Sequence, residues 1–299
     1  VQNIGYFMEM KEDDKVIKKR FLRGLSYLMI TAIGIIMIYP LIWMFFAAFK
    51  TNNEINLATS LLPAQFDWSG FVRGWHASGQ YTFTDFFKNT FLLVVPTVLF
   101  TVVSCTIVAY GFARFSFKGH KILFALMLST MMVPNAVLII PRYLLFRDLG
   151  WLNGYLPFWM PALFACYPFF IYQEVQFLRG IPTELDEAAK IDGCNSFQIL
   201  VQILLPVLKP SMISVCIFQT IWTWNDFMNP LIYINSVSKY PLSLALRMGL
   251  DVAASTNWNE IMAMACVSIL PLVIMFFCFQ KYFVEGIASS GLTHENNLE

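Results

Sequence analysis

The chain contains little charge: Lys, Arg, Asp and Glu make up 13% of its 299 residues, while 58% are hydrophobic. A soluble domain of this size cannot bury so much apolar surface, so a lipid bilayer is the expected solvent. The net charge of +1 gives no indication of a nucleic-acid partner. The scarcity of charge therefore predicts an integral membrane protein without nucleic-acid binding.

The chain also lacks the residue patterns that mark catalytic, metal and nucleotide sites. Its six cysteines form no CxxC pair or Cys/His cluster, its three histidines are scattered, and no GxxxxGK[ST] phosphate-binding sequence occurs. We therefore expect no enzyme activity, no metal and no cofactor in this chain. Glu174, Asp226 and Glu260 stand at the ends of apolar stretches, where solvation at the membrane interface and a functional role are both open.

Stretches without charge predict six transmembrane helices and an all-α fold. Five stretches lie between charged residues, and the sixth follows the central charged segment and includes a shorter apolar run after Asp226. These stretches are Arg23–Lys50, Lys88–Arg114, Lys121–Arg142, Asp148–Glu174, Pro210–Asn225 and Glu260–Lys281. The predicted organisation is an N-terminal segment (1–23), a first helix (24–49), a loop (50–88), a core of five helices (89–282) and a tail (283–299).

The distribution of Lys and Arg predicts the orientation in the membrane. With the N-terminus in the cytoplasm, thirteen of the twenty Lys and Arg residues fall in inside segments and seven in outside segments. Both termini and the central charged segment are therefore expected in the cytoplasm. The two long outside segments, Thr51–Phe87 and Asn225–Asn259, are either anchored at the interface or serve as a docking surface for an external protein.

The central charged segment, residues 183–210, contains two helix starts and one helix stop. Thr183, with Asp186 three positions later, predicts a capping box. Gly193 is the residue type that ends helices in the left-handed conformation. Asn195, with Gln198 at the capping-box position, predicts the start of a second helix. The segment thus predicts a short, exposed, acidic helix followed by a reversal into the next membrane span.

This segment also resembles the EAA loop of the permeases of binding-protein-dependent ABC importers. The pattern EAA-x3-G-x9-I-x-LP is met at every position by Glu187-Ala188-Ala189, Gly193, Ile203 and Leu205-Pro206. Asp192-Gly193 and the sequence Trp224-Asn225-Asp226-Phe227 are similar to the sugar-importing branch, in particular to the shorter permease of maltose-type systems.

The resemblance implies the type I ABC importer permease fold in a bacterial cytoplasmic membrane. It implies a second homologous permease, two ATP-binding cassette subunits that hold ATP and Mg, and an extracytoplasmic solute-binding protein. The implied cargo is a sugar, an oligosaccharide. Residues implied in coupling to the ATPase are Glu184, Glu187, Ala188, Ala189, Asp192, Gly193, Leu205 and Pro206.

Two interpretations of function from different classes stand beside each other. In the first, the acidic helix docks on a separate ATPase; in the second, the chain is a self-sufficient carrier or channel and the segment only joins helices. The EAA pattern favours the first. Asn135, Tyr167 and Asn225 are polar residues in or at the ends of apolar spans, and either line the substrate pathway or bond to a neighbouring helix.

Overall fold

The computed structural model of the chain describes residues 2–57, 60–76, 79–250 and 257–291. This part of the chain is helical and contains no strand. The last eight residues of the predicted tail lie outside the described residues. The α-helices are α1 (Gln2–Ala47), α2 (Asn52–Leu57), α3 (Ser69–His76), α4 (Phe83–Arg114), α5 (His120–Thr130), α6 (Asn135–Asp148), α7 (Leu156–Leu163), α8 (Pro168–Arg179), α9 (Glu184–Ile191), α10 (Ser196–Gln198), α11 (Leu205–Asn225), α12 (Met228–Tyr233), α13 (Leu242–Met248) and α14 (Trp258–Gly291).

Four continuous helical stretches of the described chain are long and apolar enough to cross a membrane. They have mean hydropathies between 1.9 and 2.6 and comprise Leu22–Ala47, Phe83–Arg114, Ser196–Asn225 and Trp258–Lys281. The helices α5 and α6 together are also long and apolar enough, but they are bent by 101° at the short break between them, as in a broken span or a re-entrant loop. Pro134 precedes the first residue of α6, and its lack of a backbone N–H explains why the predicted third span is interrupted there.

The fourth predicted span, Asp148–Glu174, is broken into α7 and α8. The carbonyl of Pro161 accepts a hydrogen bond from the Cys166 amide at 2.9 Å, closing off α7. Ala165 has a φ of 54°, a left-handed conformation that alanine adopts at a cost of about 1–2 kcal/mol. Pro168 then begins α8 as its first residue, a position where a missing amide hydrogen costs little.

The chain divides into two compact units, of which the first comprises residues 1–73 and 257–266. In this unit, the Phe49 ring contacts the rings of Phe66, Trp68 and Phe71 at centroid distances of 4.8–5.6 Å. Asn52 accepts a hydrogen bond from the Asn259 amide at 3.2 Å. These contacts fold the segment after α1 around an aromatic cluster. The sequence-based expectation of a segment anchored at the interface did not include this cluster.

The second unit, residues 74–256 and 267–299, is built around α4. One face of α4 is buried at helical spacing, including Leu93, Thr97, Thr101, Cys105 and Ala109, and packs against α7, α8 and α11. The buried hydroxyls of Thr90, Thr97 and Thr101 donate to carbonyls one turn earlier in α4, at 2.6–2.9 Å, which satisfies these polar groups in an apolar setting. The segment 183–210 therefore follows α8 and ends in α11, two helices that pack against α4.

Candidate functional site

The acidic helix predicted after Thr183 exists as α9, but it is not capped as expected. The Thr183 backbone is helical, with φ −72° and ψ −19°, and its side chain makes no capping hydrogen bond. Asp186, the predicted partner, instead forms an ion pair with Arg114, with 2.7 Å between Nε and Oδ2. The capping-box prediction was wrong because Asp186 has a stronger, charged partner on another helix.

The predicted helix stop at Gly193 is confirmed. Gly193 has a φ of 85°, its amide donates to the Lys190 carbonyl at 3.0 Å, and the Cys194 amide donates to the Ala189 carbonyl at 2.9 Å. These two bonds form a Schellman motif, which satisfies the last carbonyls of α9. A β-carbon at Gly193 would meet no atom within 4 Å, so the backbone conformation alone favours glycine there.

The predicted start of the following helix is also confirmed. Asn195 accepts from the Gln198 amide at 2.9 Å, and the Gln198 side chain accepts from the Asn195 amide at 2.8 Å. The helix then widens into a π-helical segment over Ile199–Leu204 before Leu205. Pro206 has no amide hydrogen to donate, so the ladder of hydrogen bonds shifts to the wider spacing, shown by the Leu205 amide donating to the Leu200 carbonyl.

Four of the eight predicted coupling residues lie on the exposed side of α9 or directly after it. Glu184, Leu185, Glu187 and Ala188 are exposed, as is Asp192. Ala189 is buried with 5% exposure and, with Asp186, forms the side of α9 that faces the rest of its unit. The arrangement leaves three acidic side chains and a small apolar surface available to another protein.

The sequence analysis missed two large apolar side chains beside this surface. Ile191, the last residue of α9, is 87% exposed, and Phe197 in α10 is 72% exposed. They flank the chain reversal at Gly193, where neither lipid-facing periodicity nor the EAA pattern indicates them. Exposed apolar groups next to charged ones are typical of protein–protein contacts.

The predicted pathway residues have different surroundings. Arg142 donates a hydrogen bond to Asn135 within α6. Tyr167 directly precedes the first residue of α8. Asn225 is exposed and donates to the Ile221 carbonyl of its own helix at 2.9 Å, so its side chain satisfies α11 instead.

The three acids at span ends have different environments. Glu174 is fully buried on α8, beside the Thr106 hydroxyl of α4, so solvation at the interface is wrong for this residue. Asp226 accepts from the Asn229 side chain at 2.7 Å, and Glu260 pairs with Arg73 at 3.1 Å. Position at the end of an apolar stretch does not show which side of the helix a carboxyl occupies.

The sequence matches the family described as binding-protein-dependent transport system inner membrane component over residues 103–289, more than half of the chain. The chain belongs to this family. It is therefore a non-catalytic membrane component of an ABC importer, a class that works with an ATPase and a solute-binding protein. The interpretation as a self-sufficient carrier or channel is wrong, and the predicted permease assignment is confirmed.

Two relatives and one solved structure illustrate the membership. The probable ABC transporter permease protein YurM of Bacillus subtilis is 33% identical over 254 residues, which cover 85% of this chain and 83% of YurM. The arabinooligosaccharides transport system permease protein AraQ of Halalkalibacterium halodurans is 30% identical over 263 residues, covering 87% and 92% of the two chains. A chain of a bacterial ABC transporter involved in the import of the acidic polysaccharide alginate has the same fold. Its TM-score is 0.79 at 23% identity, with 88% of this chain and 97% of that chain covered.

Proposed function

We propose that this permease carries an oligosaccharide across the cytoplasmic membrane and that α9 couples it to the ATPase. The observation that supports coupling is the exposed side of α9, held by a Schellman motif at one end and a charged contact at the other. A short rigid helix with projecting carboxylates fits a groove on a partner domain. Such a helix transmits a two-state motion because it does not bend.

Glu187 and Gly193 have different roles in this proposal. Glu187 offers an exposed carboxylate to a basic group or backbone N–H of the ATPase, a contact worth about 1.5–3 kcal/mol. Gly193 sets the angle between α9 and the following span through its left-handed backbone. Leu205 and Pro206, at the end of the π-helical segment, continue that rigid connection into α11.

The coupling role is tested in the reconstituted importer. We expect Glu187→Lys to reduce the amount of ATPase that co-purifies, whereas Gly193→Val leaves an assembled complex with low uptake per ATP hydrolysed. Gly193→Asn is the matched control, since asparagine tolerates the left-handed conformation. Asp148→Lys reverses an exposed charge in α6, outside the proposed docking surface. Normal uptake per assembled complex in both Glu187→Lys and Gly193→Val would rule out coupling through α9.

The proposed assembly contains this permease, a second homologous permease and two ATP-binding cassette subunits, with both termini of this chain in the cytoplasm. ATP and Mg belong to the cassette subunits. The absence of a phosphate-binding sequence supports this division, because without one the chain has no loop to cradle the phosphates. Saturable ATP binding by the purified permease alone would contradict it.

The proposed cargo is supported by the arabinooligosaccharide transport named for AraQ and by the resemblance to maltose-type permeases. Asn135 and Tyr167 offer an amide, a hydroxyl and an aromatic ring, groups that bind sugar hydroxyls and faces. The test is ATPase stimulation by the solute-binding protein loaded with arabino-, malto- or alginate oligosaccharides. We expect one sugar class to stimulate and Asn135→Ala or Tyr167→Ala to change that preference. Stimulation by peptides or inorganic anions alone would exclude a sugar cargo.

A further inference from the structure

One guanidinium group joins the end of α4 to the beginning of α9. Arg114 is the last residue of α4 and its side chain is 6% exposed. Its Nε lies 2.7 Å from Asp186 Oδ2, in the first turn of α9, and its Nη2 donates to the Ile181 carbonyl at 2.9 Å. Arg114 therefore contacts both α9 and the turn that leads into it.

One turn earlier on α4, a second side chain contacts the opposite end of the same loop. The Tyr110 hydroxyl donates to the Ser196 carbonyl at 3.1 Å, where α10 begins. Tyr110 itself is 8% exposed. We call Tyr110 and Arg114 the α4 clamp. Because the clamp reaches Ile181, Asp186 and Ser196, it contacts the chain before and after α9 and leaves the exposed side of α9 free.

The burial of Asp186 distinguishes this contact from ordinary stabilisation of a helix start. The other two acids in the first turn of α9, Glu184 and Glu187, are exposed. Exposure is usual for acidic side chains that interact favourably with the positive end of the helix dipole. The Asp186 side chain is 10% exposed, and its Oδ1 accepts no hydrogen bond from the described residues. Its compensation is the Arg114 charge, so removing either partner leaves a buried charge unpaired, which is strongly destabilising for the contact.

We propose that the α4 clamp makes α9 move as one body with α4, and that Arg114 and Asp186 are positioning residues for coupling to ATP hydrolysis. This inference rests on the proposed role of α9 in docking the ATPase. The face of α4 that packs on α7, α8 and α11 carries the motion on into the bundle. Without the clamp, α9 would still dock the ATPase through Glu187, but its displacement would not be passed to α4.

The test is a charge exchange in the complete importer, reconstituted in proteoliposomes with the oligosaccharide that best stimulates the wild-type ATPase. Arg114→Asp and Asp186→Arg are made singly and together, and uptake per ATP hydrolysed is measured. We expect each single variant to lower this ratio by about tenfold and the double variant to restore it to within about twofold. Asp186→Asn, which keeps the side-chain volume, carries the same expectation where charge reversal prevents membrane insertion.

The matched control is the exposed pair Arg147–Asp148, at 2.9 Å with more than half of each side chain exposed. Exchange of its charges is expected to leave the ratio unchanged, because exposed ion pairs contribute little. A merely structural role for the clamp predicts fewer assembled complexes with a normal ratio, and that outcome overturns the proposal. A double variant that fails to regain coupling also overturns it.

Measurements on Glu187→Lys and Gly193→Val in the same preparations separate this inference from the proposed function. If these two variants lose ATPase attachment or uptake while Arg114→Asp and Asp186→Asn keep the normal ratio, the clamp is overturned and α9 coupling stands. If Glu187→Lys and Gly193→Val behave as the wild type does, coupling through α9 fails, and the clamp proposal fails with it.

Discussion

At the scale of single residues, two candidate helix caps in the same segment behave differently. Asn195 has an extended backbone, with ψ 167°, and makes a full capping box with Gln198. Thr183 has a helical backbone, so its hydroxyl does not reach the free amides of α9. Both are good capping types in a matching pattern. Local sequence therefore identifies both Thr183 and Asn195 as candidate caps. The distant Arg114 pairs with Asp186, the expected partner of Thr183, and only Asn195 caps its helix.

This difference predicts unequal effects of two alanine substitutions. Asn195→Ala removes the acceptor for the Gln198 amide and is expected to cost about 1 kcal/mol, which speeds hydrogen exchange at that amide by about fivefold. Thr183→Ala is the matched control and is expected to leave exchange in α9 unchanged, because the Thr183 carbonyl still accepts from Asp186 and Glu187. Exchange measured by mass spectrometry in lipid nanodiscs checks both. Equal acceleration in the two variants would contradict the assigned caps.

At the scale of elements, the sequence predicts most helices and misplaces some breaks. Charge-free stretches located the spans in α1, α4, α11 and α14, but they did not show the break between α5 and α6 at Pro134. The break between α7 and α8 depends on Ala165 in the left-handed conformation, for which alanine gives no signal. The folded segment after α1 was also missed, since it depends on contacts between residues that simple periodicity does not relate.

Within that segment, α2 supplies a carboxylate that makes local structure sensitive to acid. Glu54 accepts from the Thr51 amide at 2.9 Å and from the Ala64 amide at 3.0 Å. These hydrogen bonds to backbone amides, that of Thr51 foremost, lower the pKa of Glu54 from its ordinary value of 4.5. A lowered pKa in the folded state means that the stabilisation is fully present above pH 4.5 and is lost as the pH falls through the lowered value.

We therefore expect the hydrogen-exchange protection factor of the Ala64 amide to decrease as the pH is lowered from about 6 to about 3. Glu54→Gln is the control: its side chain does not titrate, so its protection should stay low and constant over the same range. The comparison isolates Glu54 from Asp67, whose pKa is also lowered, by hydrogen bonds from Ser69. A wild-type protein whose Ala64 protection does not change with pH would refute the role of the carboxylate.

At the scale of the whole molecule, sequence predicted the family and the exposed helix, but not what holds that helix. Arg114 and Asp186 are 72 residues apart, and each alone reads as an ordinary charge at a helix end. The EAA pattern specifies α9 and its reversal, whereas the contact with α4 exists only once both helices are packed. A pairing between distant positions has no local signal, because it depends on the approach of two helices, α4 and α9, that are separated in the chain by four others.

The orientation of the molecule in the membrane is a prediction that local packing does not decide. Lys and Arg favour the cytoplasmic side, and the turn between α4 and α5 contains Lys118 and is flanked by Arg114 and Lys121. Ser116 in that turn and Ser60 after α2 are both exposed and lie on either side of one continuous span, α4. Ser116→Cys and Ser60→Cys, each in a background without the six native cysteines, are treated with a membrane-impermeant maleimide. In right-side-out vesicles we expect label at position 60 and none at position 116, and the reverse in inside-out vesicles.

A membrane-permeant maleimide, which should label both positions, controls for reactivity. Label at position 116 alone in right-side-out vesicles would invert the orientation, and label at both positions from one side would contradict a membrane crossing by α4.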